Sequence, residues 1–433
     1  MKNWKQAFEI YKNPKMTVML ALGFFSALPF VLIFSTLSFW LSDAHVAVTA
    51  ISLFSLVRLP YSFKFLWAPF IDRCSVPFLT RKLGQRRSWA IVCQAFLIVF
   101  LIALIHTEPL VCPLATGVCA VGVAFFSASQ DIVFDAFRIE YLPEQEQGAA
   151  SATFVFGYRV GMLAAGAGAL YLSDFVGWTR VYEFMAISGV LAVIVMLSVK
   201  EPPREPIQAK QNFFKDAVVA PIGDFLSKSG WLLIVLFIVT YKLCETTIGT
   251  VTPKLYKELG FSNSEIATVV KLWGVGATIF GGFLGGALIV KIGLFKTLLT
   301  CGVLQGISNL PFSVLALNGN SLLWLTVSIV SDNMASGMAS TAFVAYMSSL
   351  CNTAYTGTQY ALLSSLMALP RDLLSSGSGW LVVQLGWPLF FVFTAFLSLP
   401  GLFLLILLNR KFPMHPLESA LPKRRVPSSA DKR

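Results

Sequence analysis

Residues 17–41 read TVMLALGFFSALPFVLIFSTLSFWL, 25 residues without one charged side chain. A helix rises about 1.5 Å per residue, and the hydrocarbon core of a bilayer, about 30 Å thick, takes roughly 20 apolar residues to cross. The stretch is therefore long enough to span a membrane as a helix. The basic leader before it, Met1 to Lys15, does not make it a signal peptide, because a signal-peptide core runs only about 7 to 15 residues. It is read as an uncleaved first span. The same length test along the chain predicts further spans near 47–70, 88–106, 109–138, 149–174, 178–199, 231–256, 264–291, 295–317, 321–349, 358–384 and 387–409. These twelve runs explain the composition, which is 56% hydrophobic and 13% charged with a mean hydropathy of +0.72. Soluble domains carry about a quarter charged residues, so the apolar excess must face lipid. The expected class is an all-α integral membrane protein.

A net charge of +11 could suggest nucleic acid, but the Lys and Arg residues sit in short runs between apolar segments and in both tails. That is the signature of membrane topology. One side collects Lys2, Lys5, Lys12, Lys15, Arg73, Arg81, Lys82, Arg86, Arg87, Lys291, Lys296 and the tail from Arg410 to Arg433; the other holds little beyond Arg180, Lys254 and Lys257. Both termini are therefore expected in the cytoplasm, which requires an even number of spans. The seven cysteines lie mostly inside apolar stretches without metal-ligand spacing and read as packing residues. His45, His106 and His415 fall near span ends or in the tail and assemble no metal or catalytic site.

The spans divide six and six. Lys200 to Ser229 is polar, holds Pro202, Pro203, Pro206 and Pro221, and carries five lysines and arginines. The expected domains are an N-terminal six-helix bundle (1–199), a cytoplasmic linker (200–229), a C-terminal six-helix bundle (230–409) and a basic cytoplasmic tail (410–433). The two halves echo each other, as transporters built from repeats do. Gly148, Arg159, Gly166, Gly168, Gly177 and Trp178 in the first half are matched by Gly357, Arg371, Gly377, Gly379, Gly386 and Trp387 in the second, and residues 135–138 match 344–347 in position.

Ionisable groups within spans are the exceptions that call for a partner or water, since each costs roughly 2.5–3.5 kcal/mol at mid-bilayer. They are Arg58, Lys64, Asp131, Asp135 and Arg159 in the first half, and Lys242, Glu245, Lys271, Asp332, Arg371 and Asp372 in the second. Asp131, Asp135 and Arg138 recur at helical spacing on one face. Two carboxylates together there suit a proton-binding site; they could equally neutralise Arg58, Lys64 or Arg159 and tie helices together. Lys242 and Glu245, three apart, either pair with each other or line a cavity, one for substrate and one for the proton. Arg159 and Arg371 could clamp an anionic substrate bidentately or tie helix to helix. Glycines 281, 282, 285 and 286 lack a following Gly-Lys-Ser or Gly-Lys-Thr and read as a close-packed helix face, as do Gly157, Gly161 and Ala165. Tyr61, Tyr158, Tyr241, Tyr346 and Trp273 could stack on a sugar, or serve as ordinary core and interface aromatics.

After the second span the chain reads Asp72-Arg73, then Gly84-Gln85-Arg86-Arg87. This resembles the signature loop of the major facilitator superfamily, in which an acid and arginines form a charge relay at the cytoplasmic gate. Ten residues, Cys74 to Leu83, stretch the loop beyond its common form, and the matching loop of the second half, Gly285 to Lys296, is shorter and lacks the acid. Four segments narrow the resemblance: Lys64 to Pro69; Ser129-Gln130-Asp131-Ile132 with Asp135 to Arg138 and Glu140; Tyr241-Lys242-Leu243; and Gln359 to Ser365. Together they resemble the AmpG-type muropeptide permeases. The longer members of that branch carry two further helices, for which 433 residues leave no room, and the branch shades into acetyl-coenzyme A carriers.

The resemblance implies a bacterial inner-membrane symporter that brings anhydro-muropeptides, small glycopeptides released from the wall, into the cytoplasm for recycling. It would be driven by the proton gradient, with no cofactor and no metal, and would work as a monomer. Asp131, Asp135 and Glu245 are the proton-coupling candidates; Lys64, Gln130, Arg159, Tyr241, Lys242 and Arg371 are the substrate-binding candidates; Asp72, Arg73, Arg86 and Arg87 form the expected gate. Two other classes are weighed against this. A membrane-embedded transferase would need a polar catalytic cluster or an extramembrane domain, and the loops here are short. A sensor or scaffold on a transporter fold would keep the buried charges as structure alone.

Overall fold

A computed structural model of the chain describes residues 9–44, 46, 54, 57, 59–203, 219–249, 251–375 and 378–413, with the side chains of 144, 263, 264, 267, 271 and 368–375 outside the description. Among these residues the structure is helical and holds no strand. The membrane helices are α1 (Pro14–Asp43), α2 (described from Leu59 to Arg73), α3 (Gln85–Ile105), α4 (Pro113–Tyr141), α5 (147–176), α6 (178–198), α7 (Trp231–Glu258), α8 (263–292), α9 (Leu294–Asn318), α10 (Leu322–Ser349), α11 (described over Thr356–Ser375 and 378–385) and α12 (387–411). Among the described residues eight helical stretches are long and apolar enough to cross a bilayer, and one of these, Gln147–Ser198, runs for 52 residues and holds both α5 and α6. The first part of the second expected span lies outside the described residues.

Gly177 separates α5 from α6 with φ 77° and ψ 162°, and Gly386 separates α11 from α12 with φ 71° and ψ 159°. Both occupy a region that a Cβ makes costly. The tryptophan after each glycine then does the same work in each half. Trp178 Nε1 donates to Asp43 at the end of α1 (2.8 Å), and Trp387 Nε1 donates to Glu258 at the end of α7 (2.6 Å). The helix starts at Gly84 (φ 89°) and Gly293 (φ 83°) match as well. The internal repeat is thus present as matched backbone turns and matched side-chain anchors.

The buried apolar residues gather into one core drawn from Met16 to Val199 with Ala361, and two further cores drawn from Phe225 to Leu408. Small residues let helices meet backbone to backbone. A Cβ on Gly157 would sit 2.0 Å from the Leu20 carbonyl oxygen, and one on Gly23 would sit 2.0 Å from that of Phe154, so α1 and α5 are in direct contact. In the other half Gly281 and Gly337 place α8 against α10 in the same way, with 2.2 and 2.1 Å to the Met334 and Thr278 oxygens. Overpacking such a seam costs about 1–3 kcal/mol even when the backbone can yield. Gly157→Val is therefore expected to lower the melting temperature of the purified protein and its monodisperse yield, while Gly177→Ala, with no neighbour within 4 Å, should act only through backbone strain.

Several spans are less regular than apolar runs suggest. α1 contains a π segment, Leu32–Thr36, and α5 another, Ala164–Gly168; the two meet where Thr36 Oγ1 donates to the Ala165 carbonyl (2.6 Å). α7 is expected as one helix but is broken into Trp231–Thr240, Leu243–Gly249 and Thr252–Glu258. Pro253 accounts for the second break, since it has no N–H to continue the ladder. At the first break Gly401 of α12 lies close enough that its Cβ would be 2.9 Å from Tyr241 Cα.

Candidate functional site: an ion-pair lock below a charged seam

At the basic end of the molecule Arg86, in the first turn of α3, is completely buried. Its Nη1 donates to Asp72 Oδ1 (2.7 Å), and its Nε and Nη2 grip both oxygens of Glu140 on α4 (3.0 and 2.6 Å). A planar guanidinium suits two carboxylates at once because its donors form a rigid fork. The other oxygen of Asp72 accepts from the Thr358 backbone N–H and hydroxyl, both at 2.6 Å. That N–H belongs to the first turn of α11, where helix amides lack intrahelical partners and carboxylates are favoured. Asp72 therefore joins the two halves of the chain.

The four residues expected at the gate do not all meet. Arg87 turns away and caps α6, donating to the Met196 and Leu197 carbonyls (2.8 Å each). Arg73 lies over the Tyr355 ring, 5.2 Å from its centroid. Glu140 supplies the second acid, and Glu201, at the start of the linker, accepts from the backbone N–H groups of Arg86 and Arg87 (2.7 and 3.1 Å). Glu201 and Thr358 were not candidates; no residue pattern marks a carboxylate that reaches a helix terminus from a distant loop.

The α4 charges separate into two roles. Arg138 is fully buried and reaches Asp135 at 3.4 Å, Ser151 of α5 at 3.1 Å and Ser348 of α10 at 3.1 Å, with the rings of Phe154 and Tyr360 on its faces. It is a second tie between the halves; Tyr11, whose hydroxyl donates to Phe283 of α8, is a third. Asp131 instead accepts from Ser26 of α1 (2.5 Å), and Lys64 of α2 faces both Asp131 and Asp135. Within this half two acids stand among two cations. Arg58 lies outside the described residues.

In the other half Lys242 pairs with Glu245 (2.9 Å) just past the first break in α7, and α10 supplies the remaining contacts: Lys242 Nζ to Ser340 Oγ at 2.7 Å, and Ser336 Oγ to Glu245 at 2.8 Å. In the register that matches 135–138 with 344–347, Ser340 holds the place of Asp131. The pair Ser26–Asp131 in one half thus answers the pair Lys242–Ser340 in the other. Arg159, half-buried on α5, faces Glu245 across the seam between halves. The side chains of Lys271, Arg371 and Asp372 lie outside the described residues.

Two expected substrate contacts are engaged in helix packing in this structure. Gln130 is fully buried and its amide donates to the Phe25 carbonyl (3.2 Å), bracing α4 on α1. Tyr241 stacks on Phe343, and its hydroxyl is spent on the Leu298 carbonyl (2.8 Å), which places it in the core. At the basic end a cavity of about 390 Å³ opens between the halves, with Gln147, Gly148, Ile289, Leu294, Ser348 and Cys351 in its wall. It lies on the basic side of the Arg138 layer.

Two repeated helical bundles that meet at a charged seam and are tied at one end define a secondary transporter. Residues 15–371 match the model of the Major Facilitator Superfamily. The chain is 38% identical over 403 residues to the anhydromuropeptide permease of Escherichia coli K12, covering 93% of this chain and 81% of that protein. It is 38% identical over 410 residues to the AmpG 4 protein of Rickettsia felis, covering 93% and 98%. The chain belongs to the AmpG family of anhydromuropeptide permeases within that superfamily, and these are transporters rather than enzymes. Solved structures share the fold at low identity. The fucose:proton symporter FucP of E. coli has a TM-score of 0.69 at 13% identity over 91% of this chain and 98% of that one; the human organic anion transporter MFSD10 has 0.68 at 15%, over 90% and 98%.

Proposed function

We propose that this protein imports anhydro-muropeptides, small anionic glycopeptides of the GlcNAc-anhydro-MurNAc type, for recycling of the bacterial wall. The observation that carries the reading is 38% identity over 93% of the chain to a permease named for that substrate. The distribution of Lys and Arg supports a cytoplasmic basic end with both termini inside, and the relationship to the Escherichia coli permease supports an inner-membrane location. The functional units are the bundles 1–199 and 230–409, joined by the linker 200–229 and followed by the tail 410–433. The ties at Asp72, Arg138 and Tyr11 close the cytoplasmic side, so the structure is an outward-facing or occluded state of an alternating-access cycle. Transport is coupled to protons through carboxylates in the membrane interior, with Asp131, Asp135 and Glu245 as the first candidates. The chain works as a monomer without a cofactor.

Substrate carboxylates are taken by Arg159 at the seam, with Lys64, Lys242 and the repeat-related Arg371 as the further cations of the path. Purified protein in proteoliposomes is expected to accumulate labelled anhydro-muropeptide when the lumen is made alkaline, and equal uptake without the gradient would defeat the coupling. Arg159→Ala is expected to raise KM for the anionic substrate by roughly 10- to 100-fold, the value of a hydrogen bond to a charged group. Arg159→Lys should recover only part, since an ammonium cannot hold a carboxylate bidentately. An unaltered KM in Arg159→Ala would remove it from the binding site.

A further inference from the structure

We propose that Asp332, on α10, is the group that takes the transported proton; this rests on the proton-coupled reading above and assigns its carrier. Asp332 lies within the bilayer-spanning part of α10 and is half-buried. Its Oδ1 accepts from Gln305 Nε2 of α9 at 3.1 Å, and the Ser308 hydroxyl stands beside it. Both donors are neutral. Among the described residues it makes no ion pair, in contrast to Asp135, with Arg138 at 3.4 Å, and Glu245, with Lys242 at 2.9 Å. The titratable and charged groups that face Asp332 are Glu245, Lys242 and Cys244 on α7 and, at the far end of α7, Tyr256. Lys242, the one described cation of that set, is already spent on Glu245 and Ser340.

Charge balance then links the proton to the substrate. Among the described side chains of the first half, Asp131 and Asp135 stand among Lys64 and Arg138, two charges of each sign. Among those of the second, Glu245 and Asp332 are balanced by Lys242 only if Arg159 is counted from across the seam. An anionic substrate that engages Arg159 removes that balance and leaves one uncompensated negative charge in the interior, which is costly there. A proton from the outer solution, adding to an Asp332 carboxylate oxygen to form an O–H bond, restores neutrality. The same proton leaves to the cytoplasm when the substrate departs and Arg159 again faces Glu245.

The surroundings of Asp332 can serve both of its forms. Gln305 is 3% exposed, and its Oε1 is a buried acceptor without a hydrogen-bond partner. As a carboxylate, Asp332 receives the Gln305 amide hydrogen. As a carboxylic acid it has a hydrogen to give, and a half-turn of the Gln305 amide presents Oε1 to receive it. The adjoining break in α7 places the cluster at a discontinuous helix, where transporters hold coupling ions.

The test is Asp332→Asn in the full-length protein, reconstituted with labelled anhydro-muropeptide. Gradient-driven accumulation is expected to fall to the level seen without a gradient, while counterflow, which needs no net proton movement, persists. Accumulation like that of the wild type overturns the assignment; so does loss of counterflow in a variant that melts normally, which would make Asp332 a substrate contact. The same loss in Asp131→Asn or Glu245→Gln, with Asp332→Asn still coupled, moves the proton to that residue. A wild-type protein indifferent to the gradient instead brings down the proton-coupled reading itself. If Asp332→Asn does not fold, Asp332→Glu keeps an acid on a longer arm and is expected to retain coupled uptake with a displaced pH profile. An unchanged profile overturns the proposal.

Discussion

Arg86→Ala is expected to destabilise the protein by about 3–5 kcal/mol, the cost of removing one member of a buried ion cluster. The guanidinium compensates two carboxylates at once, Asp72 and Glu140, with three contacts of 2.6–3.0 Å. Its loss leaves both acids in a site from which water is excluded, and α2, α3 and α4 lose the group that converges them. Thermal melting of detergent-purified protein is the measurement. Arg86→Lys should recover little, because an ammonium is a point charge on a flexible stem and cannot fork between Asp72 and both oxygens of Glu140. Adding Glu140→Gln to Arg86→Ala should restore part of the loss by removing one stranded charge. If Arg86→Ala melts like the wild type, the cluster does not hold the three helices together.

How far these features could be read beforehand depends on their range along the chain. Apolar runs are local, so most spans are legible from length and apolarity, and most expected boundaries fall within a few residues of the observed helix ends. The repeat was legible through Gly177-Trp178 and Gly386-Trp387 because a glycine forced to positive φ must be a glycine in both copies. Side-chain partners are not local. Arg87 follows Arg86 by one residue, about 100° around the helix, so the two cannot reach the same acids; one enters the lock and the other caps α6. The partners of Asp72 include a backbone amide 286 positions away, a group every residue but proline carries and no motif can mark. Tyr241 and Gln130 sit in segments that match the family, yet both are spent on backbone carbonyls, as buried polar groups usually are. Asp332 was visible as an interior charge, but that it makes no ion pair among the described residues is a property of three helices together.

Asp72→Ala should shift the conformational balance toward a state open at the basic end. The side chain makes two contacts to the first turn of α11, both 2.6 Å and both to a carboxylate. Hydrogen bonds to charged groups contribute about 1.5–3 kcal/mol, so losing this tie changes the ratio of closed to open molecules by roughly tenfold or more. Gly357 offers a route to the same end that keeps every charged side chain, since its Cβ would fall 2.7 Å from Asp72 Oδ1 and 3.1 Å from Ile132 Cγ2; Gly357→Ala is expected to press α11 away from the lock. The readout is maleimide labelling of Cys351, which lines the cavity between the halves, in protein whose other cysteines, Cys74 at the same end above all, are changed to serine. Faster labelling of both variants from the basic side is expected, with the arginine cluster keeping Asp72→Ala folded through Glu140. Labelling at the wild-type rate in both would mean that Arg138 and Tyr11 close this end on their own. A rise in Asp72→Ala alone would assign the effect to lost charge rather than to the separation of α2 from α11.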